Sequence, residues 1–149
     1  MTSPGGLETR WNVSAADRVA GSAVLDGVLY IADGTDIVGY DMGTGTANTR
    51  IANVNVRELT ASDKHRLLAG VTENSVVTLD PRNEQVRWEW NDFWTGGNCS
   101  LTAMNGDLYV AAQGEFEEFG DSEFAEGYLF QFKNFNDSPS RQTIYDSIS

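Results

Sequence analysis

The stretch that decides the fold runs from Ser22 to Ile51, SAVLDGVLYIADGTDIVGYDMGTGTANTRI. A short apolar segment, Ala23 to Leu25, leads into Asp26-Gly27, a dipeptide that adopts the positive φ a two-residue hairpin requires. The apolar run VLYIA (Val28 to Ala32) comes next, then a polar turn and DIVGYD (Asp36 to Asp41). The turn MGTGT and a last segment ending on Ile51 complete the unit. No helical period runs through it, and turn residues recur every few positions, so it reads as four short antiparallel strands.

The same grammar returns twice. ASDKHRLLAGVTENSVVTLDPRNEQVRW spans Ala61 to Trp88; LTAMNGDLYVAAQGE spans Leu101 to Glu115 and resumes as GYLFQFKNFNDSPSRQTIY, Gly127 to Tyr145. With Leu29, Leu68 and Leu108 as anchors, the spacings are 39 and 40. Leu29 to Asp41 and Leu68 to Asp80 are both 12 residues, whereas Leu108 to Lys133 is 25, so the third unit is longer by about 13. Strands are expected at LLAGV (Leu67 to Val71), SVVTLD (Ser75 to Asp80) and DLYVAA (Asp107 to Ala112), and at Gly127 to Lys133. In that last run Tyr128, Phe130 and Phe132 share one face. Four strands repeated every 40 residues predict β-propeller blades.

The expected fold class is therefore all-β: about three four-stranded antiparallel blades plus one leading outer strand, with the ring incomplete within one chain. Residues 1–6 are a turn-like N-terminus and 7–146 a single domain, with blades at about 22–54, 61–90 and 101–146. The leading strand is LETRWNV, Leu7 to Val13, where Trp11 takes the place that Trp88 has in the second unit. Single-chain propellers close with about four to eight blades, so a three-bladed chain predicts self-association or another subunit.

The repeat pattern resembles that of PQQ-type, quinoprotein-like propellers, also seen in outer-membrane assembly lipoproteins. The residues that carry the resemblance are Val24, Asp26, Gly27, Leu29, Tyr30, Ile31, Tyr40, Asp41, Thr44 and Gly45 in the first unit. Leu68, Leu79, Asp80 and Trp88 carry it in the second, and Asn105, Gly106, Leu108, Tyr109 and Val110 in the third. Ile51 stands where the pattern has Trp, and Lys64-His65-Arg66 replaces Asp-Gly. The resemblance implies the fold and, by analogy, an alcohol dehydrogenase using PQQ and calcium. That family's site uses a vicinal disulfide, a catalytic Asp and a full ring. One cysteine, Cys99, and three blades do not supply them. No cofactor is expected.

Charge narrows the function further. Twenty-two Asp and Glu against ten Lys and Arg give −12, with Lys64 and Lys133 the only lysines. Such a field repels phosphates, which excludes general nucleic-acid binding and attachment to anionic membranes. No apolar run approaches a membrane span, and Met1 to Gly6 lack a basic n-region and an apolar h-region. A cytoplasmic or virion-associated location follows as the expectation. The acidity, the scarcity of lysine and the many small residues resemble a halophilic archaeal proteome, whose carboxylates hold water and cations in molar salt.

The most unusual segment is EFEEFGDSEFAE, inserted between the second and third strands of the third unit. Glu115, Glu117, Glu118, Asp121, Glu123 and Glu126 alternate there with Phe116, Phe119 and Phe124. It is expected to be a contact loop whose rings enter a partner and whose carboxylates form the rim. Phe93 and Trp94, in WEWNDFWTGGNCS, are candidates for stacking on a sugar or partner, while Trp88 and Trp90 are expected to pack between blades. Asp41 and Asp80 are expected to fix the turns that follow them, and Asp33 and Asp36 to belong to a hairpin turn. Cys99 precedes a strand, and His65 sits in a turn with no partner motif. No catalytic residues and no metal site are expected.

The sequence thus points to a non-enzymatic structural, assembly or surface-binding module that completes its fold through copies of itself or a partner. A virion head or tail component of a halophile virus, beginning at Met1, fits this size. The alternatives are a fragment of a larger propeller binding a glycan or cell-surface ligand, and a PQQ-dependent dehydrogenase-like fragment.

Overall fold

The computed structural model describes residues 9–90, 99–113, 127–133 and 140–148. Among them are twelve strands and no helix. The first four are β1 (Val19–Leu25), β2 (Val28–Asp33), β3 (Asp36–Asp41) and β4 (Ala47–Ile51). The next are β5 (Glu58–Ser62), β6 (Leu67–Val71), β7 (Val76–Asp80) and β8 (Gln85–Trp90). The last are β9 (Cys99–Met104), β10 (Asp107–Gln113), β11 (Gly127–Lys133) and β12 (Ser140–Ile148). Each set of four is one antiparallel meander in which every strand pairs with its chain neighbour. These are three propeller-type blades, and their first strands lie side by side, β1 against β5 and β5 against β9.

The tight turns form where the dipeptides demand them. Asp26 and Gly27 have φ of 51° and 76°, and Asn105 and Gly106 have 53° and 82°, the doubly positive pair that matches the right-handed twist of a hairpin. Blade 2 has no such dipeptide; Asp63 to Arg66 make a longer turn, with Arg66 at φ 56°.

Register then sorts each strand's residues between two faces. In blade 1, Tyr30 pairs with Gly39 and Ala32 with Ile37, and these look toward blade 2. They join Leu25 and Ile51 against Leu59, Leu68, Val77 and Leu79, sealed by Val54 and Val56 of the link between blades. A side chain at Gly39 would put its Cβ 2.8 Å from the Tyr30 ring, so glycine there lets the ring lie flat on the sheet. Blade 2 presents Ala69, Val71 and Val76 to Leu101, Leu108, Val110, Phe130 and Phe132 of blade 3. Trp88 and Trp90 close that second layer: Trp88 meets Phe132 edge-on at 5.4 Å, and Trp90 meets Phe130 edge-on at 5.4 Å. Each fully buried Leu, Val or Phe stabilises the stack by about 1.5–3 kcal/mol. The expected inter-blade role of Trp88 and Trp90 is what the structure shows.

One expected element is different. Over residues 9–13 no strand forms. Instead the segment is a strap across blade 1. Trp11 donates its indole N–H to the Met42 carbonyl at 2.8 Å, and a Cβ at Gly45 would meet its ring at 2.7 Å. Further along, the backbone N–H groups of Ala16 and Asp17 donate to the two oxygens of Asp33 at 2.8 and 2.7 Å. Those anchors flank β3, so the strap runs along it from its C-terminal to its N-terminal end. β8 runs the same way over β11, which makes Trp11 the positional counterpart of Trp88. The strap holds the place of an outer strand, but no inner strand lies beside it to form a ladder, and a strand needs that ladder.

Candidate functional site at the ends of the arc

Contact-loop residues Glu115, Phe116, Glu117, Glu118, Phe119, Asp121, Glu123, Phe124 and Glu126 lie outside the described residues, as do Phe93 and Trp94. The insertion's anchors are described: Gln113 pairs with Gly127 at the close of the β10–β11 ladder. That end of the arc also carries the β2–β3 turn, the Thr72–Ser75 turn and the link from blade 1 to blade 2.

At this end a cleft of about 610 Å³ opens between Asp17, Arg18, Val19 and Ala20, the Gly34-Thr35 turn, and Asn55, Val56 and Arg57. Its walls are pinned by backbone hydrogen bonds. Gly34 N–H donates to the Arg18 carbonyl at 3.0 Å, Val54 to Thr35 at 2.7 Å and Arg57 to Val71 at 2.6 Å. Sequence reasoning missed the cleft, because its residues come from three segments that only the register brings together.

The aspartates do structural work. Asp41 accepts the N–H groups of Gly43 and Thr44 at 2.8 and 3.0 Å, as an aspartate that fixes a turn should. Asp80, at the equivalent position, is fully buried and gathers more partners: the Arg82 N–H, the Asn83 amide at 2.7 Å and Arg87 at 2.9 Å. Burial alone would raise its pKa; Asn83, Arg87 and the Arg82 N–H outweigh it and hold the carboxyl below the usual carboxylate range. Asp36 is also held low, by the Asn53 N–H and then by Arg50. Burial pushes the Tyr30 phenol up, against a hydrogen bond from Thr49. His65 reaches across to blade 3, its Nε2 donating to the Gly106 carbonyl at 3.0 Å. Cys99, expected just before a strand, is the first residue of β9. Among the described residues no group of three or more His, Cys, Asp or Glu could hold a metal ion, and no helix is long and apolar enough to cross a membrane.

The two outer faces of the stack differ. On blade 1, the face away from blade 2 carries Val24 paired with Leu29, Ser22 paired with Ile31, and Val38 and Tyr40 of β3. Val38 and Tyr40, next to the strap, are buried; Leu29 and Ile31 are half-buried and Val24 is 49% exposed. Of the six exposed large apolar residues described, Val13, Val19, Val24 and Met42 belong to blade 1 or its strap. On blade 3 the outer face carries Thr102, Met104, Asp107, Tyr109, Gln131 and Lys133, with Met104 57% exposed and Leu129 half-buried among them. The Gln131 amide donates to the Tyr109 hydroxyl at 3.1 Å and to Asp107 at 3.4 Å. One end is apolar and partly strapped. The other is mixed, a polar network beside exposed Met104.

No family model and no curated protein matches the chain. Solved structures do. The computationally designed Ika4 protein aligns over 91% of this chain and 76% of its own, at 14% identity and a TM-score of 0.60. Hydrazine synthase of Kuenenia stuttgartiensis aligns over 95% of this chain and 40% of its own, at 14% identity and a TM-score of 0.63. The β-propeller domain of the Trilobed protease from Pyrococcus furiosus aligns over 88% of this chain, at 11% identity and a TM-score of 0.42. At such identities the likeness to the first two concerns the fold alone.

Proposed function

We propose that this chain is a non-enzymatic assembly module, an arc of propeller blades that completes itself by association. The observation that carries this is the strap over residues 9–17: it occupies an outer-strand position on blade 1, while the inner part of the same face stays open at Val24, Leu29 and Ile31. In the interior of the stack that face is covered by a neighbouring blade. Leaving it open exposes apolar surface that association would bury. The PQQ-type resemblance supplies the blade and not its chemistry, and the halophile reading supplies a reason for −12: in molar salt the repulsion between copies is screened. A structural subunit of a virion or other repetitive assembly is the setting this reading favours.

Absolute mass by light scattering, in molar KCl and in dilute buffer, tests it. A discrete multimer in high salt that dissociates or unfolds on dilution is the expected result. A well-folded monomer in both, with no partner needed for stability, overturns it. A second reading, a ligand-binding portion of a larger propeller, draws on the pinned cleft between Arg18, Thr35, Asn55 and Arg57. Saturable quenching of tryptophan fluorescence by a surface polysaccharide would favour it.

A further inference from the structure

We infer that the strap is the fourth strand of a sheet whose three inner strands come from a polypeptide segment other than these blades. The partner is then a three-stranded antiparallel meander that pairs with residues 9–13. This rests on the assembly reading and names the chemistry of its partner.

The register places the strap. Leu29 pairs with Tyr40 and Ile31 with Val38, just as Leu108 pairs with Phe132 and Val110 with Phe130. Val24, opposite Leu29, holds the place of Ala103, opposite Leu108. On blade 3 this face is covered in two parts. β8 lays Trp88 on Phe132 and Trp90 on Phe130, while Ala69, Val71 and Val76 of β6 and β7 belong to one layer with Leu108 and Val110. On blade 1 only the first part exists: Val38 and Tyr40 are buried beside the strap, and Val24, Leu29 and Ile31 are left without the second. What is missing is the counterpart of the inner strands of a blade, and the strap stands where their outer strand would.

The main chain says what kind of segment fills that strip. Among the described residues no backbone group of 9–15 takes part in a hydrogen bond, and all seven residues except Trp11 are exposed. The run is nevertheless fixed at both ends, by the Trp11 indole on the Met42 carbonyl and by Ala16 and Asp17 on the Asp33 carboxylate. An anchored run of unpaired N–H and C=O groups is a template for one more strand, whose pairing adds to the burial of the apolar strip. Holding the template in place beforehand lowers the ordering cost of binding. A second copy of this chain does not supply the missing strands, because each of its sheets already ends on a fourth, β4, β8 or β12.

The test is a chimera in which a second copy of residues 58–84, the inner strands of blade 2 with the turn that follows them, stands directly ahead of residue 8. Glu8 and Gln85 both lie three residues before a tryptophan, Trp11 and Trp88, so the graft enters the strap as it natively enters β8. Amide hydrogen exchange is read residue by residue in molar KCl, with circular dichroism as the check on folding. Alternate amides of residues 9–13 are expected to exchange at least about tenfold more slowly in the chimera than in the wild type. Asn12→Pro and Val13→Pro remove neighbouring N–H groups, one on each side of a strand. One of the two is expected to abolish the protection in the chimera, and both to leave the unfolding midpoint of the wild type unchanged. Strap amides that exchange as fast in the folded chimera as in the wild type overturn the inference. So does a wild type whose strap amides are already protected, a result that needs no chimera. Failure of the assembly reading shows separately, as a wild type that stays monomeric and fully stable in both salts.

Discussion

Leu68 and Leu29 hold the same place in the repeat, 39 residues apart, yet Leu68 is fully buried and Leu29 only half-buried. Their strands have the same pairing, and both faces are apolar. What differs is the neighbour: Leu68 has blade 1 over it, and Leu29 has only part of a strap. A blade therefore has no core of its own. Its stability belongs to the pair of sheets that share a layer, as nearest-neighbour terms dominate any repeat array.

The comparison can be broken most severely inside the aromatic layer. Phe132 is fully buried, edge-on to Trp88 and tilted against Trp90 at 5.4 Å. Phe132→Ala is expected to cost about 3–5 kcal/mol in a denaturant titration. Leu68→Ala should cost about 2–5 kcal/mol. Leu29→Ala, in the monomer, should cost well under half as much as Leu68→Ala. Equal losses at the two leucines would mean that blade 1 is covered as fully as blade 2.

Asp80 and Asp41 sharpen the contrast between a buried and a half-buried copy of one position. Asp80→Asn removes a buried carboxylate with three hydrogen-bonding partners and should cost about 1–3 kcal/mol, whereas Asp41→Asn stays near 0.5. The pH dependence carries a definite sign. Because the folded pKa of Asp80 lies below its ordinary 3.8, its stabilisation is complete above that value and is lost as pH falls through the lower, folded pKa. Acid denaturation of Asp80→Asn should therefore show a shallower loss below about pH 4, measured against wild type at matched salt. The smallest effect is expected at the open end, where Val24→Asp should change monomer stability in dilute buffer by no more than about 0.5 kcal/mol.

Much of this architecture was legible in the residues. Asp26-Gly27 and Asn105-Gly106 announce their hairpins because few other dipeptides tolerate two positive φ values in succession. β5 was harder, since ELTAS is short and its exit turn, Asp63 to Arg66, has no glycine. Trp11 places the strap by analogy with Trp88, but the sequence does not show that it lacks the ladder that would make it a strand. The difference between the two ends was hidden for another reason. Val24 and Leu25 are adjacent and equally apolar, and only their pairing with Leu29 and Val28 sends one outward and the other into the core. Chemistry read along a line does not say which side of a sheet it is on. The expected site residues at 115–126 and 93–94 fall outside the described residues, so the candidate surface comes from the register.

The two rims of the stack are fastened by different materials. At one, Arg66 reaches Asp26 at 3.1 Å and His65 reaches Gly106, side chains bridging successive blades; at the other, main-chain bonds from Val54 and Arg57 tie the link between blades 1 and 2 to each of them. Main-chain bonds hold one spacing, whereas an exposed ion pair yields at little cost. Blades 1 and 2 thus open like a fan with a stiff rivet at one rim and an adjustable cord at the other. Their wedge angle, and with it the curvature that successive blades add, is set at the rim where Asp26, His65 and Arg66 meet.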